Sequence, residues 1–128
     1  MIRRPPRSTQ SRSSAASDVY KRQIQLQKEI GCSSWFGFSL VLKEESPISR
    51  DQLIALFKEK NIECRPIVTG NFLKNTDVLE YFDYEVAGTV ENAEFIDQHG
   101  LFVGNQHIDL TAEIHYLHAS IMGLLKQG

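Results

Sequence analysis

Trp35-Phe36-Gly37-Phe38-Ser39-Leu40-Val41-Leu42-Lys43, followed by Ser49-Arg50-Asp51-Gln52-Leu53-Ile54-Ala55-Leu56-Phe57, decides the fold class. In the first stretch Phe36, Phe38, Leu40 and Leu42 recur at every second position, so a strand would place them on one face, against a core. In the second, Ser49 stands three positions before Gln52. A hydroxyl there accepts from a free helix-terminal amide while the Gln side chain reaches back, which is a capping box. Leu53, Ile54, Leu56 and Phe57 then repeat at helical spacing, and Asn61 suits the end of that helix.

Working outward, Ile62 to Arg65 reads as a short second strand stopped by Pro66. Pro66 to Asn75 is an irregular loop containing Gly70. Asp77 to Phe82 reads as a short helix capped by Asn75 or Thr76, and Tyr84 to Val86 as a brief extended piece. Thr89 is expected to cap a helix to His99 that stops at Gly100, and Leu101 to Gly104 is a third strand. Thr111 is expected to cap a last helix with Ile114, Leu117, Ile121, Leu124 and Leu125 on one stripe. This order predicts an α+β fold: a small antiparallel or mixed sheet with helices mainly on one face.

With 128 residues, 41% hydrophobic and 23% charged, the chain suits one domain with a single core. No apolar run approaches the roughly 18 residues of a membrane span, and no apolar segment follows the basic N-terminus as in a secretory signal. A cytoplasmic location is the expectation. Cys32 and Cys64 lie far apart without a CxxC spacing, so they read as reduced thiols, not a disulfide framework or zinc site.

Charge divides the chain. Arg3, Arg4, Arg7, Arg12, Lys21 and Arg22 precede Ile24 against Asp18 alone, whereas the remainder has 8 basic and 15 acidic residues. Residues 1–23 are rich in Arg, Ser and Pro and too poor in apolar side chains to offset ordering, so disorder is expected there. A basic arm can bind phosphate backbones, but no aromatic is interleaved with these arginines and no nucleic-acid module follows, so no nucleic-acid partner is expected. The segment resembles the conceptual translation of sequencing-adapter DNA. That resemblance implies a non-native 1–23 joined to a domain at 24–128 whose natural sequence extends upstream.

For chemistry, the four histidines are weak candidates. His115 and His118 share a side of the last helix, but a metal centre needs three or four converging ligands. No Ser-His-Asp pattern, nucleophile elbow or Gly-rich phosphate loop is present. Glu63-Cys64-Arg65-Pro66-Ile67-Val68-Thr69-Gly70-Asn71-Phe72 is more pointed: an arginine leaves a short strand into a Thr-Gly-Asn loop. Arg65 supplies a planar fork for carboxylate or phosphate, Thr69 and Asn71 offer polar groups, and Gly70 permits a positive φ or close ligand approach. A turn with a structural salt bridge explains the same residues equally well. A second loop, Gly104 to Thr111, holds Asn105 and His107, while Asp109 or Thr111 is accounted for by capping.

These two loops, with Trp35-Phe36-Gly37-Phe38, carry a family resemblance. Residues from about Ile30 to Leu125 resemble the C-terminal domain of the DegT/DnrJ/StrS family of sugar aminotransferases and dehydratases. Arg65 through Thr69-Gly70-Asn71 is similar to the Arg-x₃-(Ala/Thr)-Gly-Asn stretch of the dehydratase branch. Phe102-Val103-Gly104-Asn105 through Leu110-Thr111 is similar to that branch's final strand, loop and helix start.

The resemblance implies the small domain of a fold type I enzyme using pyridoxal or pyridoxamine phosphate, assembled as a homodimer. Its partners would be a nucleotide-linked 4-keto-6-deoxyhexose and glutamate as amino donor. In that branch the cofactor is the electron sink, a histidine replaces the usual lysine as base, and the 3-hydroxyl leaves. The products feed dideoxysugars into lipopolysaccharide and other surface polysaccharide. The resemblance also implies that the catalytic and cofactor-anchoring residues belong to a large domain absent here. Arg65, Thr69, Gly70, Asn71 and His107 are then the substrate-facing candidates, and the fragment alone is expected to be inactive. A sugar aminotransferase of the same family is the alternative. A stand-alone binding domain is another, and it predicts no exposed hydrophobic face.

Overall fold

A computed structural model describes residues 23–127; the disorder and adapter expectations for the N-terminal arm lie outside these, apart from Gln23. Four strands form one sheet: β1 (Ile24–Leu26), β2 (Gly37–Leu42), β3 (Cys64–Pro66) and β4 (Gly100–Gly104). Their order is β1-β2-β4-β3, and every neighbouring pair is antiparallel. The helices are α1 (Arg50–Glu59), α2 (Thr76–Leu79), α3 (Glu91–His99) and α4 (Thr111–Leu125), with a 3₁₀ turn at Phe72–Lys74. The α+β expectation is borne out, and the sheet is antiparallel rather than mixed.

The local signals explain most of this. Ser49 Oγ accepts from the Gln52 amide and Gln52 Oε1 from the Ser49 amide, so the capping box forms as read. Asn61 takes a left-handed φ of 54° just past α1 and turns the chain towards β3. One face of the sheet presents Leu40, Leu42, Leu101 and Val103, all buried, to Leu53 and Phe57 of α1 and Ile121 of α4. Leu53, Phe57 and Ile121 are fully enclosed. Truncating Phe57 to alanine there would cost about 3–5 kcal/mol.

Four local expectations are corrected. β1 was not foreseen, because a three-residue Ile-Gln-Leu carries too little pattern; it nevertheless buries Ile24 opposite Leu42. Phe36 does not share the core face with Phe38. It lies before β2, is 81% exposed, and its ring sits 6.1 Å from that of Phe102. Thr89 and Thr111 do not cap. The N-caps are Val90 and Leu110, neither with a side-chain bond, while Asp109 Oδ1 accepts from the amide and hydroxyl of Thr111. Finally, 84–86 forms no strand.

Candidate functional site

The second sheet face has a different character. Phe102 of β4 stands between Ser39 of β2 and Arg65 of β3 in the register of the three strands. By strand alternation these three residues point away from Leu40, Leu101 and Val103. Phe36 leans on Phe102, and Ile67 and Val68 border the same shallow groove, with Val68 82% exposed. The hydroxyl-bearing Ser33, Ser34 and Ser39 also line it. Gly37 is required at its floor: a Cβ there would lie 2.8 Å from Val103 O and 2.9 Å from Phe102 Cδ2.

Arg65 emerges on this face at the sheet edge. Its Nη2 and Nε donate to Glu63 Oε1 at 2.8 and 3.2 Å, so the salt bridge anticipated as the plainer explanation does form. Both side chains are largely exposed, and an exposed pair of this kind contributes little stability. The guanidinium is therefore available to a stronger anion at small cost.

Beyond Arg65 the chain turns tightly. The Gly70 amide donates to Ile67 O at 2.7 Å, which closes a turn with Val68 and Thr69 exposed at its tip. Gly70 has φ +50°, and a Cβ on it would stand 1.8 Å from Asp97 Oδ1. The positive φ foreseen for Gly70 is present, and the group that approaches it closely is a carboxylate of α3. Asn71 points inward: it is 8% exposed, and it is the buried polar residue among those described. Its Nδ2 donates to Glu94 Oε2 at 2.9 Å, and its Oδ1 accepts from the Leu73 amide.

Sequence reading missed the partners of this loop. Lys74 Nζ sits 2.7 Å from both Glu94 Oε1 and Asp97 Oδ2. The Asn71 side chain, Lys74 and Gln98 together hold the Glu94 carboxyl down at about 2. Lys74 holds that of Asp97 below its ordinary value, helped by the Asn71 amide, and the two carboxylates raise Lys74 in turn. The i, i+3 spacing of Glu94 and Asp97 was a visible signal for one helix face; that Lys74 would meet them was not.

His107 is exposed in the loop after β4. Because β3 and β4 are antiparallel, that loop leaves the sheet at the end marked by Gly104, whereas Thr69 and Gly70 leave it beyond Leu101. The structure gathers Arg65, Thr69, Gly70 and Asn71 along one edge and sets His107 at the other end of β4. Asn105 is used internally, donating to Trp35 O at 2.8 Å.

The residues lining this groove do not by themselves fit a pyridoxal phosphate. The groove residues include no cationic side chain for a phosphate and no carboxylate for a pyridine nitrogen. Among the described residues no group of His, Cys, Asp and Glu could hold a metal ion, and no helix is long and apolar enough to cross a membrane.

No family model matches the chain. Individual relatives do. A GDP-4-keto-6-deoxy-D-mannose 3-dehydratase of Yersinia pseudotuberculosis is 62% identical over 94 residues, covering 73% of this chain and 24% of the relative. The enzyme of the same name from Escherichia coli O55:H7 is 58% identical over the same length and with the same coverage. Among solved structures, the E. coli GDP-4-keto-6-deoxy-D-mannose-3-dehydratase with bound hydrated PLP is 53% identical, with a TM-score of 0.76 over 82% of this chain and 28% of that one. A variant of GDP-4-keto-6-deoxymannose-3-dehydratase with bound GDP-perosamine, also 53% identical, gives 0.77 over 83% and 28%. A further structure of such an enzyme holds a trapped PLP-glutamate geminal diamine. The resemblance to the dehydratase branch is borne out: in sequence and in backbone this chain is similar to GDP-4-keto-6-deoxy-D-mannose 3-dehydratases, of whose length it spans about a quarter.

Proposed function

We propose that residues 24–128 are the small domain of a cytoplasmic, homodimeric 3-dehydratase that acts on GDP-4-keto-6-deoxymannose with pyridoxal or pyridoxamine phosphate and glutamate. The observation that carries this reading is the 62% identity over 94 residues to a GDP-4-keto-6-deoxy-D-mannose 3-dehydratase, and the apolar face formed by Phe36, Val68 and Phe102 beside Arg65 supports its being part of a larger enzyme. A stand-alone domain would cover such a face, whereas a piece of a larger enzyme meets its missing partner domain there.

In the assembled enzyme the cofactor would supply the electron sink, and it would be held by residues outside this chain. This chain's part is to bind and orient. Arg65 would exchange Glu63 for an incoming anion, either the donor carboxylate or a nucleotide phosphate. Thr69, at the tip of a closed turn, would offer its hydroxyl and backbone to the ligand. Gly70 and Asn71 would serve from behind by fixing the turn. His107, at the far end of β4, would reach a ligand only from the opposite rim.

The test is a chimera in which residues 24–128 replace the matched region of the Yersinia pseudotuberculosis dehydratase. Consumption of GDP-4-keto-6-deoxymannose with pyridoxal phosphate and glutamate is then followed. Retained turnover is expected. A chimera that folds and loads cofactor yet consumes no substrate would overturn the assignment.

A further inference from the structure

The segment from Ile67 to Lys74 is fixed at nearly every point except its tip. Gly70 closes onto Ile67, and Asn71 is buried against Glu94 while capping the 3₁₀ turn at Phe72–Lys74. Lys74, at the end of that turn, folds back onto the same helix face as Asn71 does, bridging Glu94 and Asp97. Asp97 meets Gly70 so closely that no Cβ fits between them. Its carbonyl also accepts from Arg50, which ties the arrangement to the first turn of α1. Helix α3, itself tied to α1, thus anchors a loop whose two outermost residues, Val68 and Thr69, touch solvent.

Surface carboxylates on a helix ordinarily serve solubility and need no partner. Here both are engaged by the loop, and one faces a glycine that nothing larger could replace. We propose that Lys74, Glu94 and Asp97 are positioning residues for the proposed dehydratase: a clasp that holds the Val68–Thr69 tip in its ligand-ready form. This rests on the assignment of the 65–71 edge as ligand-facing. A loop ordered in advance loses less conformational freedom when the ligand arrives, so the clasp acts on affinity while the bond-breaking step is left to groups elsewhere.

Lys74 is half exposed and outside the core, so Lys74→Met leaves the fold in place. In the full 128-residue chain, amide exchange by NMR should quicken at Gly70 and Asn71 by about tenfold or more, with Leu101 and Val103 as protected as before. In the chimera, Lys74→Met should raise KM with kcat unchanged, and Lys74→Arg should restore both readouts. Loss of folded enzyme would instead lower the apparent kcat and leave KM alone. Glu94→Gln, which keeps an acceptor for Asn71 but loses the charge facing Lys74, should behave as a weaker Lys74→Met. Unchanged exchange at Gly70 and Asn71 would overturn the clasp. Quickened exchange with unchanged KM would overturn its positioning role. Arg65→Ala separates the two ideas: if it raises KM where Lys74→Met does not, the clasp alone fails, and if neither does, the ligand-facing edge fails with it.

Discussion

The side-chain amide of Asn71 donates to the Glu94 carboxylate at 2.9 Å, joining the loop after β3 to the helix before β4. Both groups are hydrophilic and distant in sequence, yet Asn71 is the buried polar residue among those described. Asn71→Ala removes a donor to Glu94 and an acceptor for Leu73, and is expected to lower unfolding stability by about 1–3 kcal/mol. Asn71→Asp should lower it further near neutral pH by setting a third carboxylate beside Glu94 and Asp97. Urea titration monitored by circular dichroism would show both; a midpoint equal to that of the unmodified chain would contradict the prediction.

Gly70→Ala meets two obstacles, a left-handed φ and the Asp97 carboxylate. The conformational part alone is about 1–2 kcal/mol. In an Asp97→Ala background the clash with the carboxylate is gone and only the Cβ of residue 97 remains, at 3.0 Å, so the same substitution should be milder there. A double-mutant cycle by thermal unfolding measures the difference, and strict additivity would mean that the two residues do not meet.

A pH titration probes the clasp directly. The Asn71 amide, Lys74 and Gln98 lower the Glu94 carboxyl from 4.5 to about 2, so its contribution is complete above 4.5 and fades as pH falls towards 2. Lys74 is shifted the opposite way: its contribution is complete below 10.5 and fades only at higher pH. NMR of the Glu94 side chain is expected to give a midpoint near 2. A midpoint near 4.5 would mean that the carboxylate is free in solution.

Much of this architecture was written locally. Ser49 and Gln52 carry their capping information within four residues, so that helix start was readable, as was the helix end at Asn61. Alternation misled at Phe36 because period two holds only inside a strand, and β2 begins at Gly37, where the backbone lies too near Val103 for a side chain. The two threonine caps failed by one position: Val90 and not Thr89, and Leu110 and not Thr111, occupies the N-cap. For the candidate site, a salt bridge at Arg65 and the glycine conformation were legible, while the inward turn of Asn71 was not. It depends on Glu94, 23 positions away, and no local pattern encodes that meeting.

The apolar face makes its own prediction for the isolated chain. Phe36 and Val68 are each more than four-fifths exposed. Phe36→Ser with Val68→Ser should reduce self-association by light scattering while leaving the circular dichroism spectrum unchanged, because neither residue supports the core. Equal scattering from both proteins would mean that this face is not what drives association.

The junction between α3 and β4 fixes length as strictly as composition. His99 ends the helix and Gly100 begins the strand with no residue between, and a Cβ on Gly100 would lie 2.5 Å from Ile96 O and 2.6 Å from Ile67 Cδ1. One residue added there would turn Leu101 and Val103 out of the core and Phe102 into it. A deletion would drag Glu94 and Asp97 away from Asn71 and Lys74. Insertions and deletions are therefore expected to be absent from this junction in any working version of the domain, while the exposed stretch from Tyr81 to Thr89 is free to vary in length.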